Sequence, residues 1–509
     1  MHLSAAAAGV SSPHSYVFHL PRFFSNHLEL RPSVPLTHRR VFAPVRCSIS
    51  KVHSYGTVDY ERKQGLKWSS LYRRIAMMED PDAGTMGVLQ RWDAEERTLS
   101  KWELCRVARE LRKFKKFKLA LEVYEWMTAQ GTRFTFTSSD VAIQLDLIGK
   151  VHGISHAEEY FSQLPEVWKD KRTFCSLVNA YGKAMMKEKA EAVVDIMKEK
   201  GFATDALVFN VMMTLYMNVG EHEKVDSVIQ EMKERNVPFD VYSYNIWITN
   251  CAAMENVEEM EWVFKQMTLD TSINANWTTY TTLASMFIKL GENEKALHYL
   301  KDAEIRITGR DRLSFNHLLG LYAAVEKKED VYRVWSRYKS SFPNILNLGY
   351  LAMLSALIRL EDIEGAQNIF DEWLSTASHT DPRICNLLMG WYARQGLTLK
   401  AKDLLNRLVE KGGNPKPITW EILAEGYLIE KQILEALSCL QKAASCAGTN
   451  NWKPKPVNVA NFLALCKEQN DMESMDVLVN VLKNMGCLEN VEYESLVSSY
   501  TNALVSGSR

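Results

Sequence analysis

The chain has 509 residues, of which 46% are apolar and 24% charged, values that are ordinary for a soluble protein. No apolar run approaches the ~20 residues that a membrane-spanning helix needs, so we expect no membrane insertion. Lys and Arg number 61 against 62 Asp and Glu, which argues against a protein that binds nucleic acid by bulk positive charge. The nine cysteines form no C-x-x-C pair, which argues against a zinc ribbon or a redox motif.

The first 50 residues differ in composition from the rest of the chain. They hold five Arg, eight Ser and no Lys, and Glu29 is their only acidic residue. This composition is typical of an organellar transit peptide, which we assign to residues 1–47. The segment Val45-Arg46-Cys47-Ser48 is similar to plastid cleavage sites, so we favour the chloroplast, with the mitochondrion as the alternative. An N-terminus without any targeting role is also open.

Removal of the first 50 residues lowers Lys and Arg to 56 and Asp and Glu to 61, a net charge of −5. We assign residues 48–69 to a flexible linker. Residues 70–100 include Val88-Leu89-Gln90-Arg91-Trp92, and we interpret them as an N-terminal helical cap that covers the first repeat.

From residue 101 onward the chain repeats itself with a period near 35 residues. Thr173-Phe174-Cys175-Ser176-Leu177-Val178 recurs as Val208-Phe209-Asn210-Val211-Met212-Met213, 35 residues later. The predicted array covers residues 101–489, and residues 490–509 form a partial repeat and tail. The units begin at residues 101, 138, 171, 206, 241, 277, 312, 347, 382, 417 and 456.

Each unit is predicted to be a helix, a turn and a second helix. In the unit that begins at Ala206, the first helix has an apolar face at i, i+3, i+4 and i+7, made of Phe209, Met212, Met213 and Tyr216. Gly220 ends this helix, and Pro238 closes the unit because proline cannot continue a helical hydrogen-bond ladder. One hairpin cannot bury its apolar faces alone, so the pattern predicts an all-α solenoid of about eleven stacked units.

Particular residues of this unit carry a family pattern. Asn210 is its fifth residue and Asp240 its last, while Met232, Lys233 and Pro238 fall where they do in pentatricopeptide repeats. The chain therefore resembles a plant P-class pentatricopeptide repeat protein targeted to an organelle, from residue 101 to about residue 500. The resemblance implies a right-handed superhelix that binds single-stranded organellar RNA, one base per repeat, without a catalytic site or a cofactor.

In that family the fifth and last residues of a unit read the base, and the second residues stack between bases. The pairs Asn210 with Asp240, Asn245 with Asn276, and Thr281 with Asp311 resemble readers of uracil, a pyrimidine and guanine. They imply 5′-U-(C/U)-G-3′ in the family's parallel orientation. Asn316 and Asn386 also stand at fifth positions, beside last residues that match no reader. The implied stacking residues are Leu207, Tyr242 and Thr278.

The resemblance also implies phosphate contacts by a basic residue just past the base-reading turn. Six units have one there: Lys113, Lys150, Lys183, Lys289, Arg359 and Arg394. This discontinuous basic stripe predicts moderate, salt-sensitive RNA binding, because affinity follows the field in the groove rather than the net charge.

The expected function is RNA stabilisation, processing or translation through occupancy of the RNA. No Walker A, G-x-S-x-G or H-E-x-x-H motif suggests an enzyme. Two alternatives stay open. An Asn at the fifth position could simply hydrogen-bond between adjacent units and hold the stack. The array could also be a protein-interaction scaffold in an organellar ribonucleoprotein or nucleoid, with RNA-processing or ribosomal proteins as partners.

Overall fold

The fold is described from a computed structural model, which describes residues 67–76, 84–95, 99–309, 311–376, 380–447 and 452–506. The predicted transit peptide, residues 1–47, and the predicted linker up to residue 66 lie outside the described residues. All regular structure in the described residues is helical, as the sequence pattern predicts. None of the described helices is both long enough and apolar enough to cross a membrane.

The chain divides into two compact units between Ser314 and Phe315. The helices that begin before this division are α1 (Lys67–Ala76), α2 (Gly84–Ala94), α3 (Lys101–Lys113), α4 (Phe117–Ala129), α5 (Ser138–Val151), α6 (Ile154–Gln163), α7 (Lys171–Ala184), α8 (Lys187–Glu199), α9 (Ala206–Val219), α10 (His222–Glu234), α11 (Val241–Ala253), α12 (Val257–Leu269), α13 (Trp277–Leu290), α14 (Asn293–Ile305) and α15 (Arg312–Ala324). The helices that begin after it are α16 (Lys328–Ser341), α17 (Asn347–Arg359), α18 (Ile363–Thr376), α19 (Pro382–Arg394), α20 (Thr398–Glu410), α21 (Pro417–Ile429), α22 (Ile433–Ala447), α23 (Pro456–Gln469), α24 (Met472–Asn484) and α25 (Val491–Ser506).

The odd-numbered helices from α3 to α23 begin at the residues that the 35-residue period marks as unit starts. Each is the first helix of a hairpin, and the even-numbered helix that follows is the second. Consecutive first helices pack against each other from α5 to α13 in one compact unit, and from α17 to α25 in the other. Each compact unit is therefore a stack of helical hairpins.

Several first helices begin directly after a residue whose side chain caps the helix. Asp240, for example, has an extended backbone, and its side chain accepts hydrogen bonds from the N–H groups of Tyr242 and Ser243 in the first turn of α11. Ser100 and Glu103 form a reciprocal capping box at α3. Proline takes the first helical position at α19, α21 and α23, where its missing N–H has no helical partner to lose.

The first helix of the unit from Ala206 ends as predicted. Gly220 follows α9 in the left-handed region, with φ of 81°, a conformation that glycine adopts without a steric penalty. Its N–H donates to the carbonyl groups of Tyr216 and Met217, so the end of the helix is satisfied. The predicted apolar face of α9 is buried, and α10 buries Val225, Val228, Ile229 and Met232.

The two N-terminal helices pack onto the first repeat. Trp92 of α2 is buried in one cluster with Leu104 of α3 and Tyr124 of α4, and Leu71 of α1 joins the same cluster. Helix α1 begins at Lys67, so the last three residues of the predicted linker, 67–69, are helical.

Neighbouring hairpins are tied by a recurrent group of three polar side chains. Glu191 on α8 accepts a hydrogen bond from the Tyr216 hydroxyl at 2.8 Å and forms an ion pair with Lys224 at 3.0 Å. One unit earlier, Lys189 forms the matching ion pair with Glu158 at 2.6 Å. The acid comes from the second helix of one unit and its partners from the next unit, so these ties fix adjacent hairpins to each other.

Candidate functional site

Asn210 and Asp240, the fifth and last residues of one unit, meet at the start of the next unit. Asn210 Nδ2 donates to Asp240 Oδ1 at 3.0 Å, and the Ser243 hydroxyl donates to Asn210 Oδ1 at 2.8 Å. Because Asp240 is held as the cap of α11, its carboxylate has a fixed orientation. The hydrogen bonds of this carboxylate within the described residues all use Oδ1, so Oδ2 stays available as an acceptor.

The other two predicted reader pairs have different contacts. Asn276 caps α13 by accepting from the Thr278 N–H at 3.0 Å, and it also accepts from the Thr278 hydroxyl. The Thr281 hydroxyl donates to the Thr278 carbonyl at 3.0 Å, within its own helix. Asp311 accepts from the Leu313 N–H at 3.0 Å at the start of α15. The last residues of all three pairs therefore act on the first turn of the following helix.

The fifth side chains lie in the seam between consecutive first helices. Asn210, Asn245 and Thr281 are only 4%, 7% and 6% exposed. In the unit from Pro417, the fifth residue Glu421 accepts from Asn458, the third residue of the next unit, at 3.0 Å. Likewise, the fifth residue Asn210 accepts from Ser243, the third residue of the next unit. The stack-holding interpretation that the sequence left open thus accounts for the contacts of Asn210.

Three fifth-position asparagines keep an acceptor without a partner. Asn245, Asn316 and Asn386 each have a buried Oδ1 atom that no donor among the described residues reaches. Buried polar atoms in proteins are nearly always hydrogen-bonded, and an unpaired one costs free energy. A donor group that entered the seam would satisfy each of these atoms.

The predicted stacking residues Leu207, Tyr242 and Thr278 are half-buried. The sequence reasoning missed a set of apolar second residues in other units that are exposed: Trp102, Leu348, Ile418 and Val457. The available signal was an apolar residue directly after a predicted unit start. An exposed apolar side chain at this recurrent position is suited to stacking on a planar ligand group.

Among the predicted phosphate contacts, Lys113, Lys183, Lys289 and Arg359 are exposed, whereas Lys150 and Arg394 are half-buried. Lys150 and Lys183 both form ion pairs with Asp146, at 2.5 and 3.6 Å. Arg112 joins the same carboxylate at 3.0 Å. The sequence reasoning did not identify Asp146, because no repeat position marks this residue.

Several other last residues and fifth residues are engaged within the protein. Asp205 forms an ion pair with Lys171 at 2.5 Å, and Asp381 forms one with Arg383 at 2.6 Å. Glu421, which is nearly fully buried, also accepts from the Lys455 N–H at 2.6 Å. These contacts give Asp205, Asp381 and Glu421 a structural role in their units. The described residues contain no group of three or more His, Cys, Asp or Glu side chains arranged to hold a metal ion.

Comparison with known proteins identifies repeats and relatives along most of the chain. A model described as the PPR repeat family matches residues 204–253, and a PPR repeat model matches residues 172–202, 242–270, 278–304 and 383–413. The pentatricopeptide repeat-containing protein At1g02150 of Arabidopsis thaliana is 50% identical over 466 residues, which cover 92% of this chain and 89% of the relative.

Two further Arabidopsis thaliana relatives carry more specific names. The mitochondrial pentatricopeptide repeat-containing protein At2g20710 is 32% identical, covering 86% of this chain and 88% of the relative. The large ribosomal subunit protein mL101 (rPPR4) is 36% identical, covering 79% of this chain and 82% of the relative. A solved structure of the pentatricopeptide repeat protein PPR10 with an 18-nt psaJ RNA element matches 85% of this chain and 74% of that chain. Its identity is 16% and its TM-score 0.36.

Proposed function

Because the chain belongs to the pentatricopeptide repeat family, we propose that it binds single-stranded RNA in an organelle as a P-class member. Bases would be read at the seams between first helices. The protein would act by occupying the RNA, which blocks nucleases or keeps a segment unpaired. The same mechanism serves stabilisation, processing and translation.

The observation that carries this proposal is the contact between Asn210 and Asp240. The Asn210 amide keeps a second N–H beyond the one given to Asp240, and Asp240 keeps Oδ2. A donor next to an acceptor matches the carbonyl and N3–H edge of uracil. Cytosine has an acceptor at N3, which would face the carboxylate unfavourably. This chemistry supports the uracil assignment implied by the family pattern.

The unpaired Oδ1 atoms of Asn245, Asn316 and Asn386 support the same reading. A nucleobase N–H entering the seam would supply the missing donor. The exposed apolar second residues, such as Leu348 and Val457, offer surfaces on which bases could stack. RNA contacts by the second half of the array are therefore part of the proposal.

We expect Asn210→Ala combined with Thr281→Ala to weaken binding to a 12-nucleotide RNA that contains U-(C/U)-G by about thirtyfold or more. Two base contacts are lost, and each is worth about 1–3 kcal/mol, so the smallest expected loss is about 2 kcal/mol. Binding to an oligonucleotide without that sequence should hardly change. Fluorescence anisotropy at low and moderate salt measures both affinities. Equal loss on the two RNAs would contradict base reading.

Asp240→Asn provides a matched variant that keeps the helix cap, since Asn and Asp cap helices about equally well. The variant has asparagine at both the fifth and the last position, as the unit from Val241 does. Its preference for uracil over cytosine should therefore fall at this position. If Asp240 acts only as a cap, the uracil preference stays as in the wild type.

A second candidate function is a structural role in an organellar ribosome. The relative named as large ribosomal subunit protein mL101 favours it, as does the engagement of Asp205, Asp381 and Glu421 within the protein. Co-sedimentation with organellar ribosomes in high salt, without measurable affinity for short RNA, would support this candidate over the first.

The organelle is also a proposal. The similarity of residues 45–48 to plastid cleavage sites supports the chloroplast, whereas the names of relatives such as At2g20710 support the mitochondrion. A fluorescent fusion of residues 1–60 observed in plant cells distinguishes the two.

A further inference from the structure

Three cationic side chains from three successive first helices converge on one carboxylate. Asp146 lies on α5 and contacts Arg112 of α3 at 3.0 Å, Lys150 of α5 at 2.5 Å and Lys183 of α7 at 3.6 Å. The Asp146 side chain is 12% exposed, while Lys183 remains 43% exposed. We call these four residues the Asp146 cluster.

The Asp146 cluster has three positive charges and one negative charge. Burial would raise the pKa of Asp146, but Lys150, Lys183 and Arg112 together hold it below its usual value. The carboxylate is therefore charged at neutral pH, and two positive charges remain without compensation inside the cluster. This excess can be neutralised by an anion that reaches the exposed Lys183 side.

Lys150 is the member of the Asp146 cluster that loses its positive charge most easily. Burial lowers the pKa of Lys150 to about 8, since the attraction of Asp146 only partly offsets it and Lys183 and Arg112 lower it further. From the other packed helices, α4 contributes the ring of Phe117, 4.7 Å from Lys150 Nζ. Helix α6 contributes Ala157, packed beside Gly149. Close to neutral pH, Lys150 can thus gain or lose a proton.

The convergence does not continue into the next two units of the array. The next two units have Asn218 and Ala253 where Lys150 and Lys183 stand in theirs. The family pattern implies one basic residue per unit, each acting on its own phosphate. Here the ion pairs join two such lysines and an additional arginine to the same carboxylate.

We propose that the Asp146 cluster is one composite site for a single backbone phosphate of single-stranded RNA, and that Lys150 takes up a proton when the phosphate binds. Asp146 is a positioning residue that holds the three cations together. This inference rests on the proposed RNA-binding function and makes that binding sensitive to pH. A phosphodiester brings a negative charge and two acceptor oxygens, which favour the protonated form of Lys150.

The sign of the pH dependence follows from this coupling. Below pH 8 Lys150 is already charged, so phosphate binding requires no proton. Above pH 8 the free protein must first be protonated, and RNA affinity falls as pH rises. With a pKa of about 8 in the free protein, and with Lys150 protonated throughout this range in the complex, affinity should drop about tenfold between pH 7 and pH 9.

Lys150→Arg tests the coupling in the full chain, because arginine keeps the charge but does not titrate in this range. The pH profile of this variant should be flatter than that of the wild type, and most of the tenfold drop in its own RNA affinity between pH 7 and pH 9 should disappear. Lys295→Arg, on the second helix α14, serves as control and should follow the wild type. The uracil and guanine bases of the RNA also titrate, but equally in the measurements on the wild type and on both variants. Only the differences between these three proteins therefore report on Lys150.

Asp146→Asn tests the positioning role. Without the carboxylate, Lys150 loses its only attractive partner in the cluster, so the midpoint of the affinity loss should move below pH 8. Circular dichroism confirms that the variant is folded. A pH profile of Lys150→Arg identical to wild type, or an unmoved midpoint in Asp146→Asn, would overturn the inference.

Inorganic tripolyphosphate separates this inference from the proposed function. One outcome is that the wild type binds tripolyphosphate but no RNA, and that tripolyphosphate binding is lost on combining Arg112→Gln, Lys150→Gln and Lys183→Gln. This result would overturn the proposed function and leave a phosphate site. RNA binding unchanged by these three substitutions would overturn the site and leave RNA binding in place.

Discussion

The last residue of a unit has a structural role, as a helix cap, in addition to any role in binding. Asp240 caps α11 while also contacting Asn210, so its residue type is selected by helix formation as well as by any ligand. Loss of such a cap costs about 1 kcal/mol, comparable to the discrimination of a single base contact. For this reason an alanine variant at position 240 would mix the two effects, and Asp240→Asn is the informative change.

Cysteine reactivity provides a prediction at the same scale. Burial raises the pKa of Cys251 and Cys385 to about 12, which leaves almost no thiolate at pH 8. Cys446 is exposed at the end of α22. We expect iodoacetamide at pH 8 to modify Cys446 well before either buried thiol, as measured by peptide mass spectrometry. Rapid modification of Cys385 in the folded protein would contradict its burial.

At the scale of helices, polar ties between hairpins recur at unit spacing. Glu191 receives both the Tyr216 hydroxyl and Lys224, so a single carboxylate joins α8 to α9 and α10. Burial would raise the pKa of Glu191, but its hydrogen bonds with Lys224 and Tyr216 lower it. Its contribution to stability is thus present at neutral pH and is lost as the pH falls below about 4.5.

We expect Glu191→Gln to lower the free energy of unfolding by about 0.5–1 kcal/mol, because the partly exposed ion pair is lost while one hydrogen bond can persist. Glu188→Gln on the same helix is the matched control, since Glu188 is 84% exposed and should have little effect. Chemical denaturation measures both. Equal destabilisation by the two variants would mean that the tie to Tyr216 and Lys224 adds nothing.

At the scale of the molecule, each hairpin packs mainly on its sequence neighbours. In such arrays stability is approximately a sum of unit and interface contributions. A destabilising substitution in one unit therefore affects mainly that unit and its neighbours. Phe209 is fully buried in α9, at the centre of the unit from Ala206. Its loss should therefore open nearby hairpins without unfolding remote ones.

Phe209→Ala is expected to cost about 3–5 kcal/mol where its cavity forms. Hydrogen exchange should become faster in α7 to α12, while exchange in α21 and α22 stays as in the wild type. Val219→Ala, at an exposed position at the end of α9, is the control. Uniformly faster exchange across all described helices would show that the array unfolds as one cooperative block.

The hairpin starts, the apolar faces and the glycine after α9 could all be predicted from residue order, because caps, helical periodicity and left-handed turns act within a few residues of the chain. The resemblance at Asn210 and Asp240 was equally visible there. Only the tertiary structure decided that fifth side chains are buried in the seams between first helices, and that Arg112 and Lys183 reach the Asp146 carboxylate that Lys150 contacts within its own helix. Both facts depend on how far neighbouring hairpins approach each other, a distance set by packing between segments more than 30 residues apart.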